Sequence, residues 1–174
     1  MKPRKGIKSA NIVGRKGIDT EQDSYLTRER YPDAAVCRGC RSVHHDKKWI
    51  HPDSITPDIA SLEKEEVVCP ACLKIKDKYA EGFVTLEGEF LKEHKAEILG
   101  LIRNKEELAS HINPLERIIE IKEKDGSIEI TTTTEKLAER IGQILKKAFH
   151  GEVEYKWSSD TKLARVKWAR RDDG

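Results

Sequence analysis

The chain has 174 residues, of which 37% are charged and 37% hydrophobic, and its formal net charge is +2. This length suits one modest domain or two small units. No stretch approaches the roughly 18 apolar residues of a membrane-spanning helix, and no apolar run typical of a signal peptide follows the basic start of the chain. We therefore expect a soluble, cytoplasmic protein with no membrane partner.

Residues 1–30 are predicted to form a flexible basic arm. They show no sustained apolar period, and residues 1–18 hold six cations and no acid. Such a segment can order against a polyanion such as RNA, although a solubilising tail is the alternative. The cations of the arm that we interpret as RNA-binding are Lys2, Arg4, Lys5, Lys8, Arg15 and Lys16.

Residues 31–86 contain all four cysteines, in two Cys-x-x-Cys pairs separated by 28 residues. Two intervening residues allow a tight turn to direct both sulfurs of a pair at one ion, and Gly39 suits such a turn because glycine tolerates positive φ. Bound Zn²⁺ would also compensate for a small apolar core. We therefore predict a zinc-ribbon domain over residues 31–86 with the ligands Cys37, Cys40, Cys69 and Cys72.

Other uses of these cysteines are left open. An iron–sulfur cluster also takes four thiolates, although the paired spacing fits zinc better. A thioredoxin-like redox site needs a βαβ pattern that the sequence lacks. A catalytic zinc needs an open coordination position and a nearby base, for which the candidates are His44, His45, Asp46 and His51. These histidines otherwise act as loop residues, contact phosphate or a base, or replace one cysteine.

Residues 87–171 are predicted to form a second unit. Residues 87–111 show apolar side chains at three- and four-residue steps, which indicates a helix. A hairpin around Asp125-Gly126, a second helix and a last hairpin follow. The expected fold is α+β: a zinc ribbon followed by a helix-hairpin-helix-hairpin unit with a four-stranded antiparallel sheet.

Residues 37–49, CRGCRSVHHDKKW, resemble the first zinc knuckle of a bacterial family of short zinc-ribbon proteins. The resemblance continues in CPACLKI from residue 69, GFVTLEGEFL from residue 82, NPLERI from residue 113 and the threonines at 131–133. It covers roughly residues 30–170. This family looks related to the amino-terminal part of the adapter that exports the large ribosomal subunit in archaea and eukaryotes, the nonsense-mediated-decay adapter family.

The resemblance implies that the four cysteines bind zinc and that the protein acts on the ribosome or on ribosomal RNA. The further cysteine pairs, domains and export signals of the large adapter have no counterpart here. We therefore expect a role at the large subunit and no role in nuclear export. The resemblance implies no catalytic residue, and no catalytic constellation is visible in the sequence. We expect a non-enzymatic protein without a small-molecule substrate.

These observations predict a zinc-binding accessory factor that associates with RNA or the ribosome. The zinc unit would present cations to phosphates and an aromatic ring to an unpaired base. The residues for these contacts are Arg38, Arg41, Lys47, Lys48 and Trp49, although Trp49 alternatively fills a small core beside the metal. The alternative function is a protein–protein adapter without a nucleic-acid role, which the acidic segment at residues 63–66 suits.

Overall fold

The computed structural model describes residues 31–171, so the predicted basic arm lies outside the described part of the chain. The elements follow each other in this order: β1 (Ala35–Cys37), β2 (Val43–His45), β3 (Lys48–Ile50), a 3₁₀ helix (Pro52–Ser54), α1 (Pro57–Ala60), β4 (Glu65–Val67), α2 (Pro70–Asp77), β5 (Gly82–Glu87), α3 (Glu89–Ile112), β6 (Ile118–Lys124), β7 (Ser127–Thr132), α4 (Glu135–Phe149), β8 (Glu152–Trp157) and β9 (Ala164–Ala169).

The first sheet has four strands in the order β3-β2-β1-β4. Strand β2 pairs antiparallel with both β1 and β3, whereas β4 runs parallel to β1. Asp46 and Lys47 join β2 to β3 with φ values of 49° and 62°. Positive φ at both positions is the backbone of a tight hairpin turn whose twist matches that of the strands. The strands are three residues long, so this sheet buries few large side chains.

The second sheet has five strands in the order β6-β7-β5-β9-β8. Strand β5 runs parallel to β9, and the other neighbours are antiparallel. Along β5 the side chains of Val84 and Leu86 are buried, while those of Phe83 and Thr85 are half-buried. This alternation places one face of the sheet in the core because successive side chains of a strand point to opposite faces.

Helices α3 and α4 cover the core face of the second sheet. Helix α4 begins at the cap Thr134, whose hydroxyl accepts a hydrogen bond from the Leu137 backbone N–H at 3.2 Å. Leu137, Ile141 and Leu145 then recur every four residues and are fully buried. They form one cluster with helix α3 and the strands through residues such as Val84, Leu86, Ile98, Ile102, Ile128, Ile130, Val166 and Trp168.

The predicted helix-hairpin-helix-hairpin unit with a four-stranded antiparallel sheet is wrong. The structure is α+β, but both of its sheets are mixed, and residues 31–171 contain four α-helices. The prediction places residues 82–86 in the zinc ribbon, whereas in the structure they belong to strand β5, which lies between the two hairpins and pairs in parallel with β9. Hairpin patterns predict only antiparallel pairs between neighbours in sequence, so they could not indicate this distant parallel partner.

Among the described residues, no helix combines the length and the apolar character needed to cross a membrane.

Candidate metal centre

Parallel pairing of β1 and β4 brings the two cysteine pairs together. Cys37 is the last residue of β1 and lies opposite Val67 of β4, two residues before Cys69. Because parallel strands end at the same edge of a sheet, the segments that leave them lie side by side. Cys40 lies in the turn that leads to β2, while Cys69 caps helix α2 and Cys72 lies in its first turn.

The four sulfur atoms lie within 4.8 Å of one another. The Sγ atoms of Cys40 and Cys69 are 3.7 Å apart. In a zinc–thiolate tetrahedron with Zn–S bonds of about 2.3 Å, neighbouring sulfurs are about 3.8 Å apart. All four cysteines are free thiols, and Cys37 and Cys69 are buried. The predicted ligands therefore form a cluster that could bind one metal ion, and its geometry is compatible with zinc.

Backbone amides of the second cysteine pair point at the sulfurs. The N–H of Cys69 donates to Cys37 Sγ at 3.3 Å, and the N–H of Cys72 donates to Cys69 Sγ at 3.4 Å. Pro70 follows the capping cysteine as the first residue of α2, where the missing N–H of proline has no cost. These amides offset part of the negative charge that thiolates bring to a metal centre.

Crowding of the thiols drives their pKa values apart. Hydrogen bonds with Cys69 and Cys72 lower the pKa of Cys40. The hydrogen bond with Cys40, followed by that with Cys72 and by burial, raises the pKa of Cys69. The hydrogen bond with Cys40 also raises the pKa of Cys72 to about 11. Without a cation the cluster therefore retains protons that a metal ion must displace.

Close packing against the sulfurs, and not the positive φ that the sequence suggested, favours glycine at position 39. A Cβ atom at this position would lie 3.0 Å from Cys72 Sγ and 3.7 Å from Cys37 Sγ. The positive φ of this turn belongs instead to Arg41, at 66°. A side chain at residue 39 would thus crowd the sulfur cluster itself.

Apolar and aromatic side chains shield one side of the cysteines. Trp49 and Leu115 are partly buried and pack against the cluster. The Trp49 ring centroid lies 5.1 Å from that of Tyr31, edge to face, and 5.1 Å from that of His44. This position matches the alternative reading of Trp49 as core beside the metal, and base stacking stays a prediction.

The two histidines of strand β2 contact groups outside the sulfur cluster. His44 is buried, and its Nδ1 lies 3.0 Å from the carbonyl oxygen of Pro32. His45 Nδ1 lies 3.3 Å from Asp33 Oδ1. Within residues 31–171, the group formed by the four sulfurs includes no histidine nitrogen.

The other residues that we predicted to bind RNA are divided between the described and undescribed parts of the chain. Arg38, Lys47 and Lys48 are exposed on the first sheet and its turns. Arg41 is also exposed, and its Nη1 lies 3.9 Å from Glu66 Oε1. The arm residues Lys2, Arg4, Lys5, Lys8, Arg15 and Lys16 lie outside the described residues.

The fold brings together a second group of potential metal ligands that no sequence motif indicates. His51, Asp53 and His111 each offer a ligand atom within 4.8 Å of the other two. The first two flank Pro52, but His111 lies near the end of α3, so no short motif joins the three residues. Residue types alone could have marked them as candidates, whereas their proximity depends on the fold.

Comparison with known proteins yields no match: no family model, no curated protein and no solved structure matches the chain. The resemblance to the short bacterial zinc-ribbon family stays a prediction.

Proposed function

We propose that the protein is a zinc-binding, non-enzymatic accessory factor that associates with RNA, with the large ribosomal subunit as its partner. The observation that carries the zinc assignment is the approach of four cysteine sulfurs to within 4.8 Å of one another. A tetrahedral ion with four thiolate ligands has no open coordination position, which favours a structural role for the metal over a catalytic one.

The distribution of charge around the metal centre supports RNA as the partner. Lys47 and Lys48 lie at the β2–β3 turn and are exposed, and Arg38 lies exposed between the first two cysteines. The metal would hold these cations at fixed positions, so less conformational entropy is lost when they contact phosphates. Release of counterions from the RNA then favours binding.

A second candidate function is the protein–protein adapter. Strands β3 and β4 are the two edges of the first sheet. Strand β4 presents the exposed side chains of Glu65 and Glu66. An exposed strand edge with acidic side chains suits a basic peptide that adds as a further strand. Nuclease treatment and the steepness of the salt dependence separate the two functions, because only the RNA complex is lost with the RNA and releases counterions from a polyanion.

The first experiment measures metal and RNA binding with the full chain. We expect one zinc per chain by elemental analysis, and loss of that zinc in the Cys37→Ser variant. Binding of single-stranded RNA should weaken steeply with added salt. Replacing Lys47 and Lys48 together by Ala should reduce the slope of log K against log salt by about 1.4, or about 0.7 for each phosphate contact.

Lys136→Ala is the matched control. Lys136 is exposed on helix α4, which packs on the second sheet and not on the sheet that carries Lys47 and Lys48. This variant should leave the salt slope unchanged. Sedimentation of a cell lysate at low and high salt then tests whether the protein travels with large ribosomal subunits. Association that is indifferent to salt and to nuclease would reject the RNA proposal in favour of the adapter.

A further inference from the structure

A group of three side chains lies where the loop after β3 meets the end of α3. His51 immediately precedes the 3₁₀ helix, Asp53 lies within that helix, and His111 is in the last turn of α3. The rings of His51 and His111 stack with their centroids 3.9 Å apart and an interplanar angle of 23°. Asp53 is exposed, as is His111, so the group is open to solvent.

The hydrogen bond of His111 Nδ1 fixes how this ring faces the group. Nδ1 lies 2.8 Å from the carbonyl oxygen of Glu107, an acceptor, so Nδ1 carries a proton. Nε2 of the neutral ring then bears its lone pair and lies 3.1 Å from Asp53 Oδ2. Two lone-pair acceptors at this distance require a positive charge between them. A backbone carbonyl on one ring nitrogen and a cation on the other is the usual arrangement of a metal-binding histidine.

His51 offers a second nitrogen lone pair to the same place. The backbone N–H of Asp53 donates to His51 Nδ1 at 3.1 Å, so this nitrogen is unprotonated. The same nitrogen lies 3.7 Å from Asp53 Oδ2. One carboxylate oxygen is therefore approached by a lone-pair nitrogen from each of two histidines that belong to different parts of the fold.

We propose that His51, Asp53 and His111 bind a divalent first-row transition metal ion such as Zn²⁺, at a second site separate from the four cysteines. Imidazole and carboxylate donors suit this class of ion. The negative end of the α3 dipole also favours a cation near His111. Binding exchanges the hydrogen bond from the Asp53 N–H to His51 Nδ1 for a metal bond, and three protein ligands leave a position for water.

A proton competes with the metal for this site. The hydrogen bond with the carbonyl of Glu107, followed by that with Asp53, raises the pKa of His111. The metal must therefore displace a proton from His111 and break the ion pair of His111 with Asp53. The ion pair and the metal complex are the two states that the experiment distinguishes.

The test titrates Zn²⁺ calorimetrically into the full chain already loaded with one equivalent. We expect a second equivalent to bind. His111→Ala and Asp53→Asn should each raise the dissociation constant of this second equivalent by at least about tenfold. Asp58→Asn is the matched control, since Asp58 is an exposed carboxylate of α1 outside the group. The Asp58→Asn variant should bind two equivalents of Zn²⁺.

Long-range ¹H–¹⁵N spectra of the imidazoles identify the ligand atoms. We expect the Nε2 resonance of His111 to move away from the protonated position when the second equivalent is added. Saturation at one equivalent, or a second equivalent that survives both His111→Ala and Asp53→Asn, would overturn the proposal and leave the ion pair. The cysteine site is measured separately with Cys37→Ser, so failure of one site is distinguishable from failure of the other.

Discussion

Gly82 and Gly100 differ in the space that a side chain would have at each position. A Cβ atom at Gly82, the first residue of β5, would lie 2.0 Å from Thr132 Oγ1 and 2.6 Å from Ala138 Cβ. Helix α4 therefore approaches the sheet too closely there for any side chain. We expect Gly82→Ala to lower the free energy of unfolding by about 1–3 kcal/mol, because overpacking forces backbone and side chains apart. Urea denaturation measures the change.

Gly100 is the matched position, because a Cβ atom there meets nothing within 4 Å. It lies exposed within helix α3, where alanine is favoured over glycine by about 1 kcal/mol. Gly100→Ala should therefore raise the free energy of unfolding by up to that amount. Equal effects of the two substitutions, in either direction, would contradict the close packing of α4 on β5.

The protonation of the cysteines predicts how zinc affinity depends on pH. The hydrogen bond with Cys40 raises the pKa of Cys72 to about 11, and the pKa of Cys69 is also raised. The metal-free state thus holds more protons than the zinc-bound thiolates do, so acid favours the metal-free state. We expect the apparent zinc affinity to fall by about tenfold per pH unit for each proton released, measured in competition with a chelator from about pH 8 to pH 6. An affinity that is constant over this range would mean that the cluster is already ionised.

At the scale of elements, a buried ion pair joins helix α2, which carries Cys72, to the second sheet. Lys74 Nζ lies 2.8 Å from Glu81 Oε1 and 3.2 Å from the carbonyl oxygen of Thr133. The side chains of Lys74 and Glu81 are only 3% and 4% exposed. We expect Lys74→Met to lower the free energy of unfolding by about 3–5 kcal/mol, because the carboxylate stays buried without its cation.

The double variant Lys74→Met/Glu81→Gln should recover most of this loss, since it removes the buried charge as well. Lys92→Met is the control: Lys92 is exposed and lies 3.1 Å from Glu89, and such surface pairs contribute little. Chemical denaturation of the three variants measures the coupling. If Lys74→Met costs no more than Lys92→Met, the pair does not hold α2 to the sheet.

The elements that the sequence predicts well are those whose determinants are contiguous. Asp125 and Gly126 indicate a tight turn, and both have positive φ, at 51° and 80°. The spacing of the cysteine pairs predicts a cluster of sulfurs, because each turn can direct two of them at one point. The turn and the geometry within each cysteine pair depend on a few neighbouring residues, whereas the meeting of the two pairs depends on the parallel pairing of β1 with β4.

Pairings between distant segments could not be predicted in the same way. Strand β5 lies beside β9 only because α3 and the elements after it return the chain to the same sheet. Likewise, His111 lies next to His51 only because the end of α3 meets the loop after β3. Nothing in the local pattern of either segment specifies its partner, so the parallel register and the second histidine group became visible only in the assembled fold.

At the scale of the whole molecule, residues 31–171 contain two buried clusters of different chemical character. The larger consists of apolar side chains from α3, α4 and the second sheet. The buried residues of the smaller are Cys37, Cys69 and Ala71, with Trp49 and Leu115 packed against them. Metal binding contributes on the order of 10 kcal/mol to the folding of small zinc units, so we expect the smaller core to depend on a bound ion and the larger core to be independent of it.

Removal of zinc should therefore lower the protection against hydrogen exchange in the first sheet and α2 much more than in the second sheet and its helices. After chelation we expect amides of β1 to β4 and α2 to exchange rapidly, because the four thiols no longer hold the two cysteine turns together. Amides of β5, β7, β9 and α4 should remain protected by their apolar core, with some loss near Lys74, whose contact with the Thr133 carbonyl crosses between the halves. Exchange measured by mass spectrometry, with zinc restored as the control, resolves these segments. Simultaneous loss of protection in both sheets would contradict this prediction. It would mean that the two sheets fold as one cooperative unit, joined through α2 and the Lys74–Glu81 ion pair, and that this unit depends on the metal.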